Sequence, residues 1–250
     1  MYPDLFGINN FSYTLMMIIG FIVAFTITYI YLKKKSKFNP LSFVIIVLLT
    51  LAIGIISSIL FENIYEAIKN AINGEKQQFT WAMTFIGGLI GGAIGFLLLH
   101  RYYYMKENDS ILLPILKIVP SAICFAHACG RVGCLLAGCC YGKQTTSWIG
   151  MSFPSLPGKV IPTQLIEMIF LLILGGVLLF LAIKDFKYEM PIYLIGYGIF
   201  RFIIEFYRGD ERGQIGSLSP SQYWCILFVA SAPILIFIFK KFLFKEREQA

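Results

Sequence analysis

Long apolar runs dominate the chain and recur seven times, with short polar connections between them. Each run has about 20 mostly apolar residues, the length that crosses the hydrocarbon core as a helix. The pattern predicts seven transmembrane helices, at about 12–32, 41–61, 79–100, 111–129, 163–183, 190–207 and 219–243. The first run is expected to remain as a span because its basic residues follow the apolar stretch and no small-residue cleavage site comes after it.

The composition agrees with a membrane protein. Of the 250 residues, 58% are hydrophobic and 14% charged, against roughly 45–50% and about 25% in ordinary globular domains. This excludes the soluble globular class, and the net charge of +7 indicates contact with anionic headgroups rather than with nucleic acid. We expect an all-α integral membrane protein with one polytopic domain over residues 1–250.

The positions of lysine and arginine predict the orientation, because these residues concentrate in the inner connections. With the N-terminus outside, twelve lie inside, namely Lys33, Lys34, Lys35, Lys37, Arg101, Lys106, Lys184, Lys187, Lys240, Lys241, Lys245 and Arg247. Seven then lie outside, namely Lys69, Lys76, Arg131, Lys143, Lys159, Arg208 and Arg212. We predict an N-out, C-in topology with a central lipid-binding cavity open toward the outer face. The outer connection 130–162 would carry part of the site, and the stretch 62–72 is either a flat interfacial helix or an extension of the second span.

The fourth run ends in polar groups that are costly at membrane depth and are therefore functional candidates. If the helix continues through Gly130, one face carries His127 and Arg131 together with cysteines on either side. Glycines at 130, 133, 138 and 142 instead favour a break, which membranes tolerate where the backbone lines a cavity or is buried in protein. Either geometry directs Arg131 inward. The alternative is an interfacial arginine that snorkels to the headgroups.

The sixth run carries an ionic stripe, since Tyr197, Arg201, Glu205 and Arg208 recur at spacings of four, four and three. These positions share one helix face, so Arg201 can pair with Glu205. Two inward arginines on different helices suit a phosphate, because each guanidinium offers a planar fork of donors. The alternative is an ion pair that only holds helices together.

Two further segments hold candidate residues. Gly87, Gly91 and Gly95 recur at every fourth position beside Gly88, which indicates close helix packing or, alternatively, room for a lipid. Proline at 162 is expected at the first position of the fifth helix, with Gln164 and Glu167 one turn apart. An intramembrane carboxylate is a functional candidate, although a hydrogen-bonded structural role for Glu167 is an equal alternative.

Five of the six cysteines lie within seventeen residues, at 124, 129, 134, 139 and 140, and the sixth is at 225. A disulfide is one interpretation, although adjacent Cys139 and Cys140 would be strained as a pair. A metal site is not expected, because no two cysteines stand two residues apart. A nucleophilic thiolate is another interpretation, and apolar packing is the alternative for Cys124, Cys129 and Cys225.

Four segments keep one order along the chain. They are Gly87-Gly88-Leu-Ile-Gly91, Gly130-Arg131-Val-Gly133 followed by Gly138 and Gly142, Pro162-Thr-Gln164-Leu-Ile-Glu167, and Gly196-Tyr197-Gly-Ile-Phe-Arg201-Phe-Ile-Ile-Glu205-Phe-Tyr-Arg208. Together they resemble the bacterial prolipoprotein diacylglyceryl transferase family. The resemblance implies a seven-helix protein of the bacterial inner (cytoplasmic) membrane with its active site toward the outer side.

The resemblance also implies a reaction. Phosphatidylglycerol, or another anionic phospholipid, would donate its diacylglyceryl group to the lipobox cysteine of a secreted preprotein, releasing glycerol phosphate and leaving a thioether. Arg131, Arg201 and Tyr197 match the family's motifs and are expected to bind the phosphate and act in catalysis. The further residues expected to bind substrate are Gly87, Gly88, Gln164, Glu167, Glu205 and Arg208. No cofactor or metal is expected, and no nucleic acid partner.

The chain departs from the family pattern where the chemistry would be. The family has His before the Gly-Gly pair, and this chain has Ile86; the family's Gly-Asn-Phe-Ile-Asn-Gly-Glu reads here Gly133-Cys-Leu-Leu-Ala-Gly-Cys139. Two substitutes for the missing base are considered. His127 has a suitable pKa to accept a thiol proton, which we favour, or Cys139 or Cys140 acts as a nucleophile in a double displacement. The alternatives to a transferase are a non-catalytic or differently specific phospholipid-binding protein of the same fold and a thiol-redox membrane protein.

Overall fold

The computed structural model of the chain describes residues 11–74, 76, 79–82, 84–104, 111–154, 156–209 and 217–243. The described residues form the helices α1 (Phe11–Lys35), α2 (Pro40–Asn73), α3 (Phe85–Tyr104), α4 (Leu112–Ala137), α5 (Thr163–Ile183), α6 (Glu189–Glu205) and α7 (Pro220–Ile238), followed by a π-helical turn at Phe239–Leu243. A two-stranded antiparallel pair, β1 (Met151–Ser152) and β2 (Lys159–Val160), lies between α4 and α5. The expected helical architecture is confirmed, with this small hairpin as an addition.

Five helical segments of the described chain are long and apolar enough to cross a membrane. They are Phe11–Lys35, Pro40–Ile72, Leu112–Ala137, Thr163–Ile183 and Pro220–Lys241. The protein is therefore a multi-pass membrane protein. Helix α6 has 17 residues, below the length of about 20 that spans the hydrocarbon core, and α3 is also absent from the five. The count of seven spans stays a prediction.

Helix α4 does not break at Gly130. It continues to Ala137, so the expected end near residue 129 is wrong and the connection to α5 begins at Gly138. The glycines of α4 contact α1 instead: a Cβ added at Gly133 would lie 3.2 Å from the Met16 Cβ atom. The helix ends instead at Gly138, whose φ of 72° is a left-handed conformation that favours glycine.

Helix α2 is longer than its apolar run, since it continues without interruption to Asn73. The stretch 62–72 is thus an extension of the second helix, one of the two alternatives considered. The helix begins with Pro40, and the Asn39 side chain accepts hydrogen bonds from the backbone N–H groups of Leu41 and Ser42. This cap satisfies two donors that a helix N-terminus leaves unpaired, and Gly74, with a φ of 71°, ends the helix.

The chain divides into two compact units, of which the smaller covers Lys35–Leu112. Within it, α2 and α3 pack closely through glycine: a Cβ at Gly87 would lie 2.5 Å from that of Phe61, and one at Gly91 would collide with the Ser57 side chain. The Ser57 hydroxyl donates to the Gly87 carbonyl at 2.8 Å. The packing role expected for the glycine stripe is confirmed. A single domain over residues 1–250 stays a prediction.

The larger unit covers Met1–Lys34 and Leu113–Ala250. Its helices α4 and α5 run antiparallel, since Lys117 pairs with Asp185 at 3.3 Å at one end and Arg131 contacts Glu167 near the other. Between these two contacts, the Ser121 hydroxyl donates to the Gly175 carbonyl at 2.8 Å. The C-terminal end of α4 therefore lies beside the N-terminal end of α5.

Helices α6 and α7 also run antiparallel in the larger unit. The Ser219 hydroxyl, at the start of α7, donates to the Glu205 carboxylate at the end of α6 at 2.8 Å. A buried cluster joins α4, α5 and α6 beneath these ends; it consists of Cys124, Ala128, Leu171, Leu178, Tyr193 and Tyr197. The fold thereby gathers the ends of four helices around one region.

Replacing Gly91 with Ala is expected to destabilise the α2–α3 hairpin, because the added methyl group meets the Ser57 side chain. Overpacking of this kind costs about 1–3 kcal/mol. Gly92→Ala is the matched control, since its Cβ would have the Gly54 Cα atom 4.0 Å away as its nearest neighbour. Thermal unfolding of the purified protein in detergent measures both variants. Equal unfolding midpoints for the two would contradict this account of the packing.

Candidate active site

The Glu167 carboxylate is the centre of the polar cluster in the larger unit. It lies in the first turns of α5 and is fully buried. Its Oε1 atom accepts a hydrogen bond from Arg131 Nη2 of α4 at 2.9 Å and another from the Tyr197 hydroxyl of α6 at 3.0 Å. One carboxylate oxygen thus joins three helices.

Two more basic groups surround the same carboxylate oxygen. Arg201 Nε of α6 lies 4.0 Å from Glu167 Oε1, and His127 Nε2 of α4 lies 3.8 Å from it. Both distances exceed a hydrogen bond, so Arg201 acts on the carboxylate through its charge, and His127 does so when its imidazole is protonated. Arg131 has a side chain that is 11% exposed and pairs inward, so the alternative of a snorkelling arginine is wrong.

A second carboxylate balances the second arginine. Arg201 Nη2 pairs with Glu205 Oε2 at 2.8 Å, one turn along α6, as the spacing predicted. The Ser219 hydroxyl donates to the other oxygen of Glu205 at 2.8 Å. The cluster therefore holds two guanidiniums against two carboxylates, which are neutral together before His127 is counted.

Several buried polar atoms of this cluster have no hydrogen-bond partner among the described residues. They are Arg131 Nε, Arg201 Nη1, Glu167 Oε2 and Gln164 Oε1. A buried polar atom left unpaired costs about 1–3 kcal/mol, and it is a feature that calls for an explanation. Two of the four are guanidinium donors on different helices, which suits an anionic oxygen ligand.

The connection after α4 is hydrogen-bonded to the start of α5. Gln164 Nε2 donates to the Cys139 carbonyl at 2.6 Å, and the Thr163 hydroxyl donates to the Cys140 carbonyl at 2.8 Å. Cys140 itself has a φ of 65°, which is uncommon for a residue with a side chain. The two side-chain bonds hold this backbone beside the Glu167 cluster.

The turn brings three thiols together. The sulfur atoms of Cys134, Cys139 and Cys140 all lie within 4.8 Å of one another. Hydrogen bonds from the Cys134 and Cys139 thiols, helped by the Arg208 guanidinium, hold the pKa of the Cys140 thiol below its usual range. Hydrogen bonds to the other two sulfurs raise the pKa of the Cys139 thiol.

Most residues expected in the site do come together. His127, Arg131, Glu167, Tyr197, Arg201 and Glu205 form the cluster. Gln164 and Cys139 lie at its edge, and Arg208 contacts Cys140. Gly87 and Gly88 belong to the smaller unit, where they contact α2. Pro162 caps α5 instead of occupying its first position, a displacement of one residue.

Three residues of the site were not singled out from the sequence. The Thr163 hydroxyl donates to the Cys140 carbonyl, and the Ser219 hydroxyl donates to the Glu205 carboxylate. The Tyr193 ring stacks on that of Tyr197 with centroids 5.7 Å apart. A signal for Ser219 was present, since Ser219 and Gln222 form a capping box that can be read from sequence. Tyr193 precedes Tyr197 by four residues on the same helix face.

The sequence profile of the family described as prolipoprotein diacylglyceryl transferase matches residues 4–238. A phosphatidylglycerol–prolipoprotein diacylglyceryl transferase 2 of Clostridium perfringens is 34% identical over 250 residues, covering 95% of this chain and 94% of the relative. A phosphatidylglycerol–prolipoprotein diacylglyceryl transferase of Clostridium tetani is 34% identical over 251 residues, covering 96% of each chain. One of Chlorobaculum tepidum is 35% identical over 165 residues, covering 60% of this chain and 53% of the relative.

Replacing Glu167 with Gln is expected to destabilise the larger unit, because two buried guanidiniums lose their shared counter-charge while the side chain keeps its shape. Removing one partner of a buried ion pair costs about 3–5 kcal/mol. Glu62→Gln on α2, where the side chain is half-buried, is the matched control. Thermal unfolding in detergent measures the difference. A midpoint unchanged by Glu167→Gln would show that the carboxylate does not stabilise the cluster.

Proposed function

We propose a role for each side chain of this site on one premise: the chain belongs to the prolipoprotein diacylglyceryl transferase family. The protein is a transferase that moves the diacylglyceryl group of phosphatidylglycerol to prolipoprotein. The acceptor atom is the sulfur of the lipobox cysteine, the product is a thioether, and glycerol phosphate leaves. Neither a non-catalytic lipid-binding protein nor a thiol-redox protein is favoured by these relationships.

Arg131 and Arg201 bind the phosphate of the lipid in this proposal. The observation that carries it is the pair of buried donors, Arg131 Nε and Arg201 Nη1, which have no partner among the described residues. A phosphodiester has oxygens on which both donors can converge, and guanidinium–phosphate bonds are among the stronger hydrogen bonds in proteins. Glu167 keeps both arginines in place without occupying these two donors.

His127 is the proposed base. Its side chain is 28% exposed, whereas that of Glu167 is fully buried, so an incoming thiol can reach the imidazole more readily. As His127 takes the thiol proton, the sulfur attacks the glyceryl carbon, the C–S bond forms, and the C–O bond to the phosphate breaks. The nearby Glu167 carboxylate stabilises the imidazolium, in the way that acidic groups orient and charge-balance catalytic histidines.

The remaining site residues position these groups or hold the headgroup. Tyr197 donates to Glu167 and is a positioning residue. The unpartnered Gln164 Oε1 atom can accept a hydrogen bond from a glycerol hydroxyl of the lipid. Glu205 fixes Arg201, and Arg208 adds positive charge near the turn. Substrate binding by Gly87 and Gly88 stays a prediction, since their described contacts are with α2.

The orientation belongs to the proposal as well. We infer an N-out, C-in protein with seven spans in the bacterial inner membrane, and a lipid cavity open to the outer face. The distribution of lysine and arginine supports this. Arg131 lies six residues before the end of α4, about 9 Å at the rise of a helix. The site is thus near the membrane surface, where a headgroup and a secreted preprotein can meet.

Arg131→Ala and Arg201→Ala are each expected to abolish transfer, because each removes a hydrogen bond to the leaving phosphate that becomes stronger as the negative charge of the phosphate grows. The assay incubates the purified protein with labelled phosphatidylglycerol and a lipobox peptide and follows both thioether and glycerol phosphate. Arg101→Ala, at the exposed end of α3, is the control. Full activity in both site variants would overturn the assignment, and lipid binding without glycerol phosphate in the parent protein would favour the non-catalytic alternative.

His127→Gln is expected to reduce kcat by about 10²–10⁴-fold, the range for loss of a general base, with a much smaller effect from Cys139→Ala. His100→Gln on α3 is the control, since the chain has two histidines. The same peptide assay, run across pH, separates the variants. A larger loss from Cys139→Ala, with a covalent lipid adduct detected by mass spectrometry, would instead support double displacement.

A further inference from the structure

Three thiols converge at the turn after α4, although their spacing in the sequence is not that of a metal-binding knuckle. The sulfurs of Cys134, Cys139 and Cys140 lie within 4.8 Å of one another. Among the described residues, no other three cysteine, histidine or acidic side chains converge in this way. Cys124, Cys129 and Cys225 do not join the group, although they are free thiols too.

The convergence is produced by the backbone. The Cys139 N–H group donates to the Cys134 carbonyl at 3.1 Å, which folds the chain back over the last turn of α4. Left-handed conformations at Gly138 and Cys140 then direct Cys140 toward the same point. Thr163 and Gln164 hold the two cysteine carbonyls from outside, so the arrangement is fixed by a neighbouring helix.

The dimensions suit a thiolate-bound cation. Zinc–sulfur bonds of about 2.3 Å in a tetrahedral site place the sulfurs roughly 3.8 Å apart. The present separations, at most 4.8 Å, reach that value with small rotations of the three side chains. Cysteine sulfur selects soft or borderline cations over Mg²⁺ or Ca²⁺.

The charge of such a site is also balanced. Three thiolates and one divalent cation carry a net charge of one negative unit. Arg131 interacts electrostatically with Cys134 and Cys140, and Arg208 contacts Cys140. Because Arg131 also pairs with Glu167, Arg208 is the guanidinium that lowers the cost of the cluster's single negative charge.

We propose that Cys134, Cys139 and Cys140 form a binding site for one thiophilic divalent cation, with Zn²⁺ as the natural occupant. Three protein ligands leave the fourth tetrahedral position to a small external ligand, which would enter beside the exposed Cys139. The proposal is independent of the transfer reaction. It replaces the expectation, drawn from spacing alone, that the cysteines bind no metal.

The experiment uses the full-length protein, purified in detergent under reductant, stripped with a chelator, and titrated with Zn²⁺ or Co²⁺. We expect one ion per chain by elemental analysis, a thiolate-to-cobalt charge-transfer band, and about three sulfur neighbours at roughly 2.3 Å by X-ray absorption of the zinc form. Single Cys134→Ala, Cys139→Ala and Cys140→Ala variants should each weaken binding at least tenfold.

The matched control is the triple variant of Cys124, Cys129 and Cys225 to Ala, which removes as many thiols but none of the cluster. It should bind one ion as the parent does, and thermal unfolding and gel filtration establish that each variant is folded. Equal zinc binding by the cluster variants and the control would overturn the proposal. The proposal would also be overturned if the parent protein bound no zinc while all six of its thiols were shown to be reduced. A disulfide within the cluster that persists under reductant would overturn it too.

Discussion

The buried carboxylate of Glu167 is the constraint on which the site depends. A lone carboxylate so fully buried would be too costly to remain charged, and each guanidinium beside it would face the same cost. Arg131 and Arg201 lower the free-energy cost of burying the charged carboxylate, and the carboxylate lowers the cost of burying the two guanidiniums. Because the partners come from α4, α5 and α6, the positions of these three helices are linked by one ionic requirement.

Glycine residues determine how α4 packs against α1, and side-chain hydrogen bonds from α5 hold the turn that follows α4. Small residues let α1 approach the helix at Gly133, as expected where packing rather than the hydrophobic effect drives association in lipid. The helix runs on to Ala137 and carries His127 and Arg131 on one continuous face. The chain then turns at Gly138, and the side chains of Thr163 and Gln164 hold the turn against α5. Continuous helix and fixed turn together set the distance between the ionic cluster and the thiols.

Local periodicity predicted the parts of the site that lie on a single helix. The Arg201–Glu205 pair follows from a spacing of four residues, and the fifth helix has the bounds expected from its apolar run. The Glu167 contacts could not be predicted this way, because Arg131 and Tyr197 are 36 and 30 residues away in the chain. The thiol cluster could not be predicted for a different reason: a metal-binding knuckle typically has two residues between its cysteines, whereas here a helix end and two left-handed residues bring Cys134 close to Cys139 and Cys140. Gly130 does not interrupt α4, because small residues in membrane helices also serve close helix packing.

The proposed roles explain why two acidic residues would be retained in a site for an anionic lipid. With Glu167 and Glu205 ionised, the two arginines are already neutralised, so a phosphodiester gains hydrogen bonds on binding but little net attraction. The balance changes during reaction. When His127 accepts the thiol proton, the cluster gains one positive charge as the departing phosphate gains one negative charge. Stabilisation then grows between ground state and transition state, which is the only kind that accelerates a chemical step. A site of uncompensated arginines would bind the lipid and its glycerol phosphate product more tightly, and would release that product more slowly.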